Sequence, residues 1–118
     1  MINMDMIGRC ERNKLSMGGN TRCPDLAAMN ESENARSARP FTLAYDIEQY
    51  FFRSDQANFA KHKIPVIFYF TGEHTDYHQV GDEVHKINFT SLTDIARIAT
   101  GVVWQAANQP RTTYVEKP

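Results

Sequence analysis

The sequence predicts an α/β sandwich. Three observations carry this: alternating apolar and polar residues over Ile2–Ile7, a nearly continuous apolar run over Ile64–Phe70, and helix-patterned segments between and after them. Strand patterns that alternate with helix patterns build a sheet covered by helices. The 118 residues suffice for one domain and not for two. Apolar residues make up 42% and charged residues 23%, which excludes a disordered chain. The formal charge is −1 with no clustered Lys/Arg run, which argues against nucleic acid or an anionic membrane surface as the main partner. The longest apolar stretch contains a proline and falls far short of the ~20 residues of a membrane span. Cys10 and Cys23 could form at most one bridge, so the redox compartment stays open.

Taken in order, Ile2–Ile7 reads as a strand with Asn3 and Asp5 on one face and Ile2, Met4 and Met6 on the other. Nothing ahead of it caps or covers it, so the chain is expected to be part of a longer domain. Lys14–Met17 is a short strand closed by a turn at Gly18-Gly19-Asn20. Pro24 to about Arg36 has helical spacing in Leu26, Met29 and Glu33, with Pro24 suited to the first turn and Asp25 to its dipole. Phe41–Tyr45 is a weak strand. Ser54 is expected to cap a short helix over Asp55–Lys61, with Phe59 and Ala60 facing inward. Ile64–Phe70 has the composition of a central strand covered on both faces, and Pro65 at its start is tolerated. Thr90 or Ser91 is expected to cap a helix to about Asn108, buried through Leu92, Ile95, Ala99, Val102, Val103 and Ala106. Pro110 stops it, and residues 111–118 are expected to fray as a tail. Trp104 and the methionines read as core.

The stretch from Thr71 to Lys86 has no period and is long enough to suggest a working loop. It holds His74, His78 and His85, three of the four histidines, together with Glu73, Asp76, Asp82 and Glu83. It also follows the central strand, and ligands of open α/β sheets gather beyond strand carboxyl ends. Imidazole and carboxylate are the usual ligands of a catalytic zinc. Composition alone nevertheless favours a solvated polar loop, since His-x-x-x-His here lacks the helix that would aim both rings at one ion.

A resemblance moves that balance. The run Ile64-Pro65 to Phe70, Gly72, then His74-Thr75-Asp76-Tyr77-His78, Asp82 and Lys86-Ile87-Asn88 resembles the C-terminal signature of the two-zinc aminopeptidases, metallopeptidase family twenty-eight. That family also holds glutaminyl cyclases and glutamate carboxypeptidases. Arg53-Ser54-Asp55 with Phe59 and Ala60 is similar to its R-S-D-H-x-x-F-A segment, and Asn3-Met4-Asp5-Met6-Ile7-Gly8-Arg9 to its N-x-D-M-I-G-R strand. Three ordered motifs cover nearly the whole chain.

The resemblance implies a three-layer sandwich with a mixed, largely parallel sheet and helices on both faces, of which this chain holds the C-terminal half. Residues 1–110 would be that portion of a zinc peptidase domain and 111–118 a tail. It implies two zinc ions, with Asp5 a ligand of one and His78 a ligand of the other. Asp82 would be an outer carboxylate, and Ser54, Asp55, His74, Asp76 and Tyr77 would flank the site. His62 and His85 read as surface residues. The family's early His, bridging Asp and Glu pair, one Glu being the general base, have no counterpart here, so no catalytic residue is assigned within the chain. Gln56 stands where the family has His, and Phe51 where many relatives have a Tyr, with Tyr50 one residue off.

The function implied is part of a zinc aminopeptidase acting on peptide substrates, inactive as an isolated chain. The alternatives are a non-enzymatic interaction domain of the same fold and a glutaminyl-cyclase-like acyltransferase. Export of relatives points to a periplasmic or secreted parent. The uncovered first strand is expected to leave an apolar edge that invites self-association.

Overall fold

The computed structural model describes residues 1–116; residues 117 and 118, the end of the expected tail, lie outside the described residues. The strands are β1 (Ile2–Met4), β2 (Lys14–Gly18), β3 (Thr42–Ala44) and β4 (Ile67–Phe70), and the helices are α1 (Pro24–Arg36), α2 (Gln56–Ala60) and α3 (Phe89–Ala107). Short 3-10 turns occupy Glu48–Tyr50 and Val84–Lys86. The strands form one mixed sheet in the order β1-β4-β2-β3. β1 runs parallel to β4 and β3 parallel to β2, while β2 and β4 meet antiparallel.

β4 lies inside the sheet, and all four of its residues are buried. That is why its sequence is apolar without alternation. Ile67 and Tyr69 join Leu15 and Met17 beneath Leu26 and Met29 of α1 and Ile95, Ile98, Ala99 and Val102 of α3. Phe68 and Phe70 point the other way, against Ile47, Met6 and Tyr50. Helices α1 and α3 therefore cover one face and the Ile47–Ala60 stretch the other, the three-layer arrangement expected. The buried Tyr69 hydroxyl donates to Asn30 Oδ1 at 2.7 Å and Asn30 Nδ2 points to Met17 Sδ, while Asn34 pairs with the Phe41 backbone, so both buried polar side chains of α1 are partnered. Gly19 is needed for its backbone: φ is +96°, and a Cβ there would lie 2.6 Å from the Val66 carbonyl oxygen.

Several local expectations are corrected by packing. Ser54 does not cap α2; Asp55 precedes the helix without a side-chain cap, and Ser54 turns toward Asp5. Phe59 is exposed, while Gln56, Ala57 and Ala60 carry the inward face. The cap of α3 is Asn88, whose Oδ1 accepts from the Ser91 N–H at 3.1 Å, and neither Thr90 nor Ser91 caps it. Ile98 completes its buried stripe, whereas Val103 is exposed and Trp104 is 72% exposed rather than core. Met17 and Met29 are core, but Met4 is not. Residues 111–116 form no helix or strand, yet they are tied down: the Val115 N–H donates to the Arg22 carbonyl at 2.7 Å and the Thr113 N–H to Asp25 Oδ2 at 2.7 Å. Met4, in the edge strand β1, is 46% exposed, and Ile64, ahead of β4, is 43% exposed. Both cysteines are free and buried. Among the described residues no helix is long and apolar enough to cross a membrane.

Candidate active site at the end of β1 and β4

Because β1 and β4 are parallel, they end at the same sheet edge, with Met4 opposite Tyr69. Asp5 follows at once, and its N–H still donates to the Tyr69 carbonyl at 3.2 Å, so it is held in register with β4. The chain then turns sharply. Met6 has φ +55°, an uncommon conformation for a side-chain-bearing residue, and its carbonyl accepts from Thr71 Oγ1 at 2.5 Å and from the Thr71 N–H at 3.3 Å. The two strand ends are thereby joined where the long loop begins.

A relay of hydrogen bonds orients the Asp5 carboxylate. Ser54 Oγ donates to Asp5 Oδ2 at 2.7 Å and accepts from Asn3 Nδ2 at 2.9 Å. Asn3 Nδ2 also donates to Gln56 Oε1 at 2.7 Å, and Gln56 Nε2 donates to the Phe51 carbonyl at 2.8 Å. Gln56, fully buried, thus uses its amide in both directions, which a neutral imidazole could do only with another geometry. Asn3 faces this relay because it pairs with Phe68, on the sheet face away from α1 and α3. Oδ2 of Asp5 is held by Ser54, and Asp5 also lines the space beyond the strand ends.

That space is an open cavity of about 400 Å³ lined by Asp5, Met6, Arg9, His74, Tyr77, His78, Asp82 and Glu83, among others. The structure therefore brings Asp5 and His78 to one cavity. His78 is exposed with φ +54°, and its ring stacks on Tyr77 at 3.9 Å between centroids. His74 is half-buried; its Nδ1 is buried without a partner and its Nε2 lies 3.8 Å from Asp82 Oδ2. Asp76 points elsewhere, bound through Oδ2 to Arg9 at 2.6 Å and through Oδ1 to Lys86 at 2.9 Å. Hydrogen bonds from Arg9 and Lys86 hold its carboxyl down at about 2. Asp82 accepts from Arg9 Nη1 at 3.0 Å. Asp55 lines neither this cavity nor the smaller one beside it. His62 and His85 are on the surface.

The smaller cavity, of about 90 Å³, shares Asp5, Met6 and Tyr77 and adds Tyr50, Phe68 and Phe70. Phe51 is fully buried over Gly18, and Tyr50 reaches this cavity instead, with the Arg53 guanidinium 5.3 Å above its ring. Tyr50 is one residue off the position where many relatives have a Tyr, so motif spacing does not single it out. Arg9 is a second residue that motif matching does not single out, although the signal is present: the loop has four carboxylates and a single lysine, and Arg9 closes the motif that contains Asp5.

An open sheet with ionisable side chains gathered beyond two parallel strand ends is the layout of an α/β enzyme domain. The chain belongs to peptidase family M28, whose family model matches residues 1–103. It is thus a domain of a metallopeptidase family, a class of hydrolases whose substrates are peptides and whose members generally depend on zinc. No curated protein and no solved structure matches the chain significantly.

Zinc bound by protein side chains requires three or more of them for each ion. Among the described residues, no group of three or more His, Cys, Asp or Glu stands close enough to hold one metal ion. The donors present, one carboxylate and one imidazole on a shared cavity, do not fit a zinc ion by themselves.

Proposed function

We propose that this chain supplies part of an aminopeptidase active site, in which Asp5 and His78 are single donors to two different zinc ions. The observation that supports this most directly is their convergence: two residues far apart in sequence, from a strand end and a loop, line one cavity at the carboxyl edge of the sheet. The Ser54 relay would hold Asp5 with one oxygen toward the metal, and Tyr77 would hold the His78 ring by stacking. The remaining ligands and the glutamate base would come from outside these 118 residues, and the chain alone would not catalyse.

Incubated with excess zinc and aminoacyl-nitroanilides, the 118-residue chain is expected to show no turnover. Joining it to sequence that supplies the missing histidine, bridging aspartate and glutamate pair should bring zinc binding and hydrolysis together, and His78→Ala should abolish both. Removing a general base alone costs ~10²–10⁴-fold in rate, so the contrast is large. Zinc-dependent turnover by the isolated chain, lost on His78→Ala, would overturn the reading.

A further inference from the structure

Among the described residues, the backbone hydrogen bonds of residues 72–87 stay within that stretch apart from the Phe89 N–H to the Ile87 carbonyl; Tyr77 N–H donates to the His74 carbonyl and Asp82 N–H to the Gln79 carbonyl. The ends are anchored, Thr71 to Met6 and the Asn88 N–H to the Gly8 carbonyl at 2.8 Å. Among the described residues, one side chain from outside makes polar contact with the stretch between these anchors, and it is Arg9. Its guanidinium uses Nη2 on Asp76 at 2.6 Å and Nη1 on Asp82 at 3.0 Å. These two carboxylates bracket His78 in sequence. Lys86, inside the loop, takes the second oxygen of Asp76 at 2.9 Å. Arg9 is itself only 19% exposed, so its fork works in partly excluded water.

We infer that Arg9 is a positioning residue: by spanning Asp76 and Asp82 it holds the His78 loop onto the strand end that carries Asp5. The inference rests on the reading of Asp5 and His78 as metal donors for its purpose, though not for its geometry. Arg9 lies four positions after Asp5, so the segment that leaves β1 and presents one donor also fixes the loop that presents the other. The planar fork matters as much as the charge, because two carboxylates on opposite sides of His78 must be reached at once. A lysine carries the charge but not the span. Without Arg9, Asp76 and Asp82 would face one another across the loop with Lys86 alone to compensate.

The test uses the whole 118-residue chain and reads hydrogen exchange and histidine NMR. In Arg9→Gln, amides of residues 72–87 are expected to exchange at least about 10-fold faster while those of β4 and α3 are unchanged. The His78 ring resonance, shifted by its stacking on Tyr77, should move toward its free value while His62 stays put. Arg9→Lys should give an intermediate effect, and it is the milder variant should Arg9→Gln fail to fold. Asp76→Asn with Asp82→Asn should reproduce the loosening, with no further change when Arg9→Gln is added.

Unchanged loop exchange, or faster exchange spread equally over β4 and α3, would overturn the assignment. Zinc titration separates this from the reading it serves. A loop loosened by Arg9→Gln in a chain whose His78 resonance ignores zinc would sink the metal reading and leave the clamp standing. Zinc shifts at His78 that are identical in the parent chain and in Arg9→Gln, with an unmoved loop, would sink the clamp alone.

Discussion

The slab beneath α1 and α3 and the loop above the sheet edge are held by different forces. The slab is mainly apolar contact between buried residues, with a few internal hydrogen bonds such as those of Tyr69 with Asn30 and of Asn34 with Phe41. The loop has few apolar anchors: Val80 and Val84 are exposed, and between its hydrogen-bonded ends at Thr71 and Asn88 the polar hold on the rest of the fold is Arg9 against two carboxylates. Burial is non-directional and tolerates small shifts, whereas a forked ion pair fixes a geometry. The region that must be stable is therefore built by burial and the region that must be aimed is built by charge. The two should fail separately.

The largest effect is expected from Ile95→Ala. Ile95 is fully buried under the sheet, and its truncation should cost about 2–5 kcal/mol in urea unfolding, lowering every region together. A loss confined to α3 would show that the slab is not one cooperative unit. Gly19→Ala should come next, at about 1–3 kcal/mol, since the substitution combines a left-handed backbone with a 2.6 Å approach to the Val66 carbonyl. Thermal melting checks it; an unchanged midpoint would mean the turn can re-form with ordinary φ.

The smallest effect sharpens the other side of the comparison. Asp76 titrates at about 2 in the folded chain and near ~3.9 when unfolded. Its contribution is therefore fully present above the unfolded value and is lost as the pH falls through the folded one. Hydrogen exchange of residues 72–87, taken relative to α3, should rise as the pH is lowered from about 4 toward about 2. A ratio already rising near neutrality would mean that something other than the Arg9–Asp76–Lys86 charges holds the loop.

Much of the fold was legible because the strongest elements follow their periods. The bounds of α1 were read from Pro24, Asp25 and the Leu26–Met29 spacing, and β4 from its unbroken apolar run. The misses lie where a neighbour outbid a local preference. Ser54 has the chemistry of a cap, but the Asp5 carboxylate offers its hydroxyl a stronger, charged acceptor. Asn88 precedes two plausible caps and takes the role because its backbone N–H is tied to the Gly8 carbonyl and its side-chain amide to the Cys10 carbonyl. Trp104 has the composition of core, but α3 turns that face away from α1 and the sheet.

The sequence by itself determined the strand and helix order, the family, and which acidic and imidazole groups to watch, since these depend on period and on motif spacing along one chain. Only the tertiary structure decided that β4 lies between β1 and β2, that Asp5 and His78 share a cavity, and that Asp76 is spent on Arg9 and Lys86. Apart from the Asp76–Lys86 contact within the loop, each of these joins residues dozens of positions apart, and no local pattern encodes which charge meets which. An arginine's partner is set by where the sheet edge delivers it, and that geometry exists only once the strands have paired.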